Sequence, residues 1–243
     1  MTTHRFTATS WSNVLGTLPP ALTVASGDAV ITETIDAHGI DKNGMQRAPQ
    51  PNPMNGPIFV TGAEPGDALR VEILRMTPIR ANGFTRGSLA GNVVDPEFVR
   101  GLPLREKINW RIDRQGLTAA LDPAVAGLED FVLPLEPMIG CFGVAPALGQ
   151  AFSTATSAEN GGNMDYRGFG PGVTVWFPVA VPGALFFLGD CHATQGDGED
   201  RWHRHRDLFR GGGAPDGRKG PQSDMAARRE RLRHLLGRQR KAA

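Results

Sequence analysis

The sequence predicts a β-rich fold, an antiparallel β-sandwich of jelly-roll type with barrel-like strands and few helices. Two observations carry this expectation. The 243 residues include 31 Gly and 19 Pro, which suits many short strands joined by turns better than a helical bundle. A unit of strand, Gly-containing turn and strand also occurs three times. The chain is long enough to bury a substantial core in one or two domains, with Val, Leu, Ile and Ala supplying what the few aromatics do not.

The first unit joins residues 21–24 to the alternating run 29–36 through Ser26-Gly27-Asp28. The second joins residues 57–62 to 68–76 through Pro65-Gly66-Asp67. The third joins residues 173–179 to 184–190 through Val181-Pro182-Gly183. Gly provides the positive φ of such a turn, and Asp provides a side-chain acceptor. Residues 37–56 and 80–103 carry no period and read as long loops. Residues 106–114 read as a strand with Ile108, Trp110 and Ile112 on one face. Residues 135–149 are apolar and punctuated by Gly. So little side-chain bulk lets backbone amides approach a ligand, which places this stretch near a site.

The densest chemistry lies in residues 189–199, directly after the apolar run 179–188. Asp190, His192, Gln195, Asp197 and Glu199 follow one another on a Gly-hinged loop. A buried strand that ends in such a loop is a common way to build a hydrolytic or metal site. An Asp-Gly surface turn is the plainer alternative, and Asp197 could serve only that turn. Asp190 and His192 are spaced i and i+2, as are Asp36 and His38 at another strand end, so each pair projects to one face. Two such pairs on neighbouring strands could surround one divalent ion, zinc or similar, with Asp36, His38 and His192 as ligands. Asp36 could instead cap the loop that follows it. Cys191, between Asp190 and His192, is expected to face the other way and pack.

Several motifs resemble the acetamidase/formamidase family. They are residues 22–28 (LTVASGD), 56–67 (GPIFVTGAEPGD), 140–147 (GCFGVAPA), 160–165 (NGGNMD) and the 192–199 loop (HATQGDGE). They occur in family order and span roughly residues 10–199. The resemblance implies hydrolysis of the C–N bond of small linear amides of the formamide or acetamide type, with release of ammonia. Hydrolysing an unactivated amide needs an activated water, an acid for the leaving ammonia and donors for the oxyanion. A divalent metal can supply the first and third of these. Glu199, His192 and Asp190 are the expected catalytic groups. Asn160, Asn163, Asp165 and Gln195 are expected to grip the carboxamide, the first three from a segment that could also be an ordinary N-G turn. Cys141 is a rival nucleophile, but a Cys in an apolar, Gly-rich strand is more often core. Hydrolysis of a small lactam and an inactive, truncated family member are the alternatives.

The net charge of +1 hides an asymmetry: residues 1–199 carry a net −7 and residues 200–243 a net +8. A basic tail of this kind suggests nucleic acid or an acidic surface as a partner. Back-translation gives another reading. Shifted by one base, the codons from residue 200 permit Ile-Gly-Gly-Thr-Gly-Ile-Glu-Thr-Ser-Phe-Glu, a strand-like continuation of the family pattern. Residues 1–199 are therefore expected to form one family-like domain, truncated at its C-terminal end. Residues 200–243 are expected to be a non-family tail, disordered or loosely helical. The expected partners are a small amide and further copies of this chain, not nucleic acid or membrane. Two cysteines make no disulfide framework, and no apolar leader or 18-residue apolar run is present, so a cytoplasmic location is expected.

Overall fold

The computed structural model describes residues 1–86, 95–102, 106–197 and, by backbone alone, 207–212. Seventeen strands lie in these residues. They are β1 (Thr3–Phe6), β2 (Val14–Gly16), β3 (Leu22–Ala25), β4 (Ala29–Glu33), β5 (Asn55–Thr61), β6 (Ala68–Pro78), β7 (Asn82–Arg86), β8 (Lys107–Asp113), β9 (Thr118–Leu121), β10 (Val132–Pro134), β11 (Met138–Val144), β12 (Ala151–Ser153), β13 (Ser157–Ala158), β14 (Gly161–Asn163), β15 (Thr174–Pro178), β16 (Phe186–His192) and β17 (Asp207–Gly212). One 3-10 turn, Val99–Gly101, is the only helical element among the described residues. The fold is therefore β-rich, as expected.

Two larger sheets form a sandwich. One has strand order β1-β4-β17-β6-β15 and the other β13-β14-β11-β16-β5-β3. Most pairings are antiparallel; β1 with β4 and β3 with β5 are parallel. A four-stranded sheet, β10-β9-β8-β7, and the pair β12-β2 complete the described strands, and no sheet of these closes into a barrel. The main core lies between the two large sheets. Val30, Leu69, Val71, Ile73 and Phe177 come from one sheet, and Val24, Ile58, Val60, Ile139, Phe142, Val144, Phe186 and Leu188 from the other. Phe142 meets Phe169 and Phe177 edge to face at 5.0 and 5.3 Å, the arrangement that ring quadrupoles favour.

The three repeated units are not hairpins. In each, one strand belongs to one large sheet and the next strand to the other. The turns are corners that stitch the sandwich together. Gly27, Gly66 and Gly183 have φ of 92°, 99° and 75°, a region that a Cβ would penalise. Asp28 and Asp67 accept from the backbone N–H of Ala25 and Glu64 at 3.1 and 2.9 Å, closing the first two corners.

Two local expectations are corrected. Part of the predicted loop 80–103 is strand β7, which pairs with β8. Within β8, Trp110 and Ile112 are buried, but Ile108 is 38% exposed. β7 pairs along the start of β8, through Ile108, but β9 joins only from Trp110 on, so Ile108 has a neighbouring strand on one side only. In the tail, residues 207–212 form a strand paired to β4 on one side and β6 on the other. Trp202 lies outside the described residues.

The N-terminal strand is fastened by Asp28. Its carboxylate meets His4 Nε2 at 2.9 Å and accepts from Thr2 N at 2.7 Å. These bonds, His4 first, then Thr2 and Ala25, hold the Asp28 carboxyl at about 2, below its ordinary 3.8. A depressed carboxyl stabilises the fold above its unfolded value and loses that contribution as pH falls toward the folded one. We expect β1 to stay protected from amide exchange at pH 4 and to loosen as the pH approaches 2. In His4→Phe the Asp28 pKa should rise and the loosening begin at higher pH. Carbon-detected NMR titration of Asp28 checks this; an unchanged pKa in the variant would refute the clasp.

Candidate functional site

Strand β16 is buried along its whole length and ends in Asp190-Cys191-His192. It runs antiparallel to β11, with Met138 opposite His192, Ile139 opposite Cys191 and Cys141 opposite Gly189. Asp190 falls in the gap of that ladder. Its φ is 56°, a left-handed conformation that costs a non-Gly residue on the order of 1–2 kcal/mol. Strain of this kind persists only where the surroundings impose it, and it clusters at functional sites. Its consequence here is local: Asp190 Oδ1 comes to 3.1 Å from His192 Nε2, with both residues buried.

A third group joins them from the turn after β14. Asp165 Oδ1 stands 3.5 Å from His192 Nε2. Its backbone N–H donates to Gly140 O at 3.1 Å, and its carbonyl accepts from Gln195 Nε2 at 2.5 Å. The ligand atoms of Asp165, Asp190 and His192 all lie within 4.8 Å of one another, the one such group among the described residues. A Cβ built on Gly140 would sit 2.6 Å from both Asp165 Oδ1 and His192 Nε2 and 2.9 Å from Asp190 O. The convergence exists because residue 140 has no side chain.

The geometry suits a zinc-sized ion. With bonds of about 2.0–2.1 Å, tetrahedral ligand atoms lie about 3.3 Å apart. The observed separations of 3.1 and 3.5 Å bracket that value. One imidazole and two carboxylates leave a fourth position open, as catalytic zinc requires.

The structure brings some sequence-predicted residues together and leaves others apart. Asp190 and His192 meet, and Asp165, expected to grip substrate, stands with them. Asn163 donates to Asp165 Oδ2. Gln195 is buried and braces the Asp165 carbonyl. Asn160 is buried as a clamp on β11: its Nδ2 donates to Val144 O at 2.7 Å, and its carbonyl accepts from Val144 N at 2.9 Å. Asp36 and His38 are not members of the cluster. Asp36 Oδ1 accepts from the N–H of His38 and Ile40 at 3.0 and 2.9 Å, and Oδ2 meets Arg80 Nη1 at 3.3 Å. That is the loop-capping arrangement. His38 Nδ1 meets Gln50 Oε1 at 2.8 Å, and its ring packs against Phe84. Asp197 is exposed and pairs with Arg167, which also holds Glu136. Glu199 lies outside the described residues. Cys141 is core, among Leu15, Met54 and Phe187. Cys191 packs in the main core as its alternation predicts.

Sequence reasoning missed Asn52 and Arg80 and did not single out Gly140. Gly140 had a signal: a Gly inside a buried apolar strand marks a close approach. Asn52 and Arg80 sit in aperiodic segments and had none.

The family model for the Acetamidase/Formamidase family matches residues 143–203. An acetamidase from Mycolicibacterium smegmatis is 30% identical over 218 residues, covering 65% of this chain and 54% of that protein. This chain spans about half the length of the curated relatives it matches. The crystal structure of a recombinant predicted acetamidase/formamidase from Thermoanaerobacter tengcongensis superposes with a TM-score of 0.69 at 30% identity, covering 89% of this chain and 70% of that one. The acetamidase of Bacillus halodurans gives 0.68 at 29% identity, covering 87% and 71%.

Replacing Gly140 with Ala should place a methyl group inside the cluster. We expect at least a tenfold loss of zinc affinity, with destabilisation of about 1–3 kcal/mol from overpacking. Zinc titration and thermal melting check it; unchanged zinc uptake would mean that the three ligand atoms do not bind as one set.

Proposed function

The chain belongs to the acetamidase/formamidase family, and from that premise we propose that it hydrolyses the C–N bond of a small linear amide, releasing ammonia, with a divalent ion at Asp165, Asp190 and His192. The observation that supports this best is the buried convergence of two carboxylates and one imidazole on a space that only Gly140 leaves open. When bound, zinc or a similar ion would supply an activated water and polarise the amide carbonyl.

The chain's own residues would do the rest. Asp190 Oδ1 and Asp165 Oδ1 lie 3.1 and 3.5 Å from His192 Nε2, so the three groups already face the space that the ion would take. Asn163 and Gln195 fix Asp165 from its side chain and its backbone. Asn160 keeps β11 in register, so Gly140 stays opposite the cluster. The burial of β16 excludes bulk water from one side, which strengthens every charge interaction there. Glu199 is proposed, from the sequence alone, as a further ligand or as the general base that takes a proton from the attacking water. Asp36 and His38, first expected to ligate the ion, would instead shape the neighbouring loop.

Ammonia release from formamide and acetamide tests this. We expect His192→Ala to reduce the rate at least a hundredfold with its melting temperature within a few degrees of the parent, and Cys141→Ala to keep most of the rate. A chelator should abolish activity and added zinc restore it. A His192→Ala protein that retains most of the parent rate removes the assignment.

We further propose that residues 1–199 are the family body and that the frame changes near codon 200. Resequencing the gene there decides it. A chain restored to the shifted frame should melt at a higher temperature and hydrolyse amide faster than the present one; equal values would tell against the shift.

A further inference from the structure

We propose that Asn52 is a positioning residue that fixes the orientation of the Asp165 carboxylate through Asn163; the proposal rests on the metal reading of the cluster above. Asn52 lies in the long loop between β4 and β5, far in sequence from Asp165. It is 6% exposed and has a φ of 38°. Such a conformation in a non-Gly residue is most readily taken by Asn.

The direction of its bonds is forced from one end. Thr154 O is a backbone carbonyl, so it can only accept. Asn52 must therefore turn its NH2 toward it, and Nδ2 lies 2.9 Å away. The second hydrogen of the same NH2 then faces Asn163, whose side-chain atom at 2.5 Å must be the acceptor Oδ1. With Oδ1 used in this way, Asn163 has only its NH2 to offer at its other end. That NH2 donates to Asp165 Oδ2. The relay thus occupies Oδ2 with a donor and leaves Oδ1 as the atom that faces His192 Nε2 at 3.5 Å. Hydrogen bonds that orient a ligating carboxylate commonly carry a large share of a metal site's affinity.

Both ends of the relay are anchored. Thr154 is fully buried and donates its own N–H to Asn13 O at 3.0 Å. Asn52 donates its backbone N–H to Ala37 O at 3.0 Å. Ala37 lies between Asp36 and His38. One residue therefore ties the loop capped by Asp36 to the carboxylate of the cluster. This gives the 36–38 segment a place beside the site without making it a ligand.

The inference separates two variants that packing alone would rank the other way. Asn52→Asp keeps the shape but replaces the donor by an acceptor. Thr154 O and Asn163 Oδ1 then face a carboxylate, and Asn163 must turn over and present Oδ1 to Asp165. Asn52→Gly loses the side chain but keeps the positive φ and the bond to Ala37 O. The experiment is zinc titration of the full, metal-stripped chain against a chromophoric chelator, with His192→Ala as the control. We expect Asn52→Asp to lose about 10–100-fold in zinc affinity, and more than Asn52→Gly loses. Asn52→Asp binding like the parent while His192→Ala does not would overturn the relay. So would equal losses in the two Asn52 variants, which would mark a packing effect.

If the parent and His192→Ala take up zinc alike, the metal reading fails instead. The relay is then decided in the metal-free chain by the side-chain NH2 signals of Asn163. They should shift in Asn52→Asp; unchanged signals would overturn it. Should Asn52→Asp not fold, Asn163→Ala removes the donor at the other end, and an unaltered zinc affinity in that variant would equally overturn the proposal.

Discussion

The site depends on how closely the backbone of β11 approaches the end of β16. At Gly140 the two come near enough that no side chain fits between them. Three consequences follow from that one contact. Gly140 O accepts the N–H of Asp165 and of Met164, which fixes the turn after β14 against the strand pair. Asp190 is carried into a left-handed conformation where the ladder skips a residue. His192, last in the strand, is left with its Nε2 facing both carboxylates. Local propensity favours none of these, because a buried strand has no intrinsic preference for positive φ or for adjacent acids. The sandwich core imposes them, with Ile139, Phe142 and Val144 holding β11 on one side and Phe186 and Leu188 holding β16.

The corners explain how residues so distant in sequence reach this contact. A hairpin would have kept consecutive strands in one sheet. Here each Gly turn sends the chain across to the opposite sheet, so β5 and β16, more than a hundred residues apart, lie side by side with β11. The long loop before β5 is consequently delivered to the same end of the sandwich as the turn after β14. That is the setting in which Asn52 can meet Asn163.

What the sequence revealed follows the same physics. The strand units, their turns and the Asp-x-His ending of β16 are written in local patterns: alternation, Gly at positive φ, and polar residues after an apolar run. They could be read without a structure. The partner of His192 could not. Asp36-x-His38 and Asp190-x-His192 look alike as strings, but Asp36 turns its oxygens to backbone N–H groups and to Arg80, whereas Asp190 turns one to an imidazole. The difference is made by β11 and by Arg80, both distant in sequence. Likewise, Asn160, Asn163 and Asp165 form one polar string yet separate into a strand clamp, a carboxylate brace and a member of the cluster. Each role depends on which long-range strand the residue faces.

The strand at 207–212 shows the limit of such patterns from the other side. Between β4 and β6, whose facing edges would otherwise offer unsatisfied donors and acceptors, the pairing of β17 is a backbone matter. A ladder of N–H and C=O groups by itself makes weak demands on side-chain order; period-two alternation enters through the face that a strand buries. A segment such as Asp207–Gly212, with one Arg and two Gly, can make that ladder through its backbone alone. Strand pairing there consequently does not by itself distinguish an evolved strand from residues read in a shifted frame. The two differ in what they bury, not in how their backbones bond. The corners and the Gly140 contact differ in kind, because each depends on one particular residue, and it is through them that the site is specified.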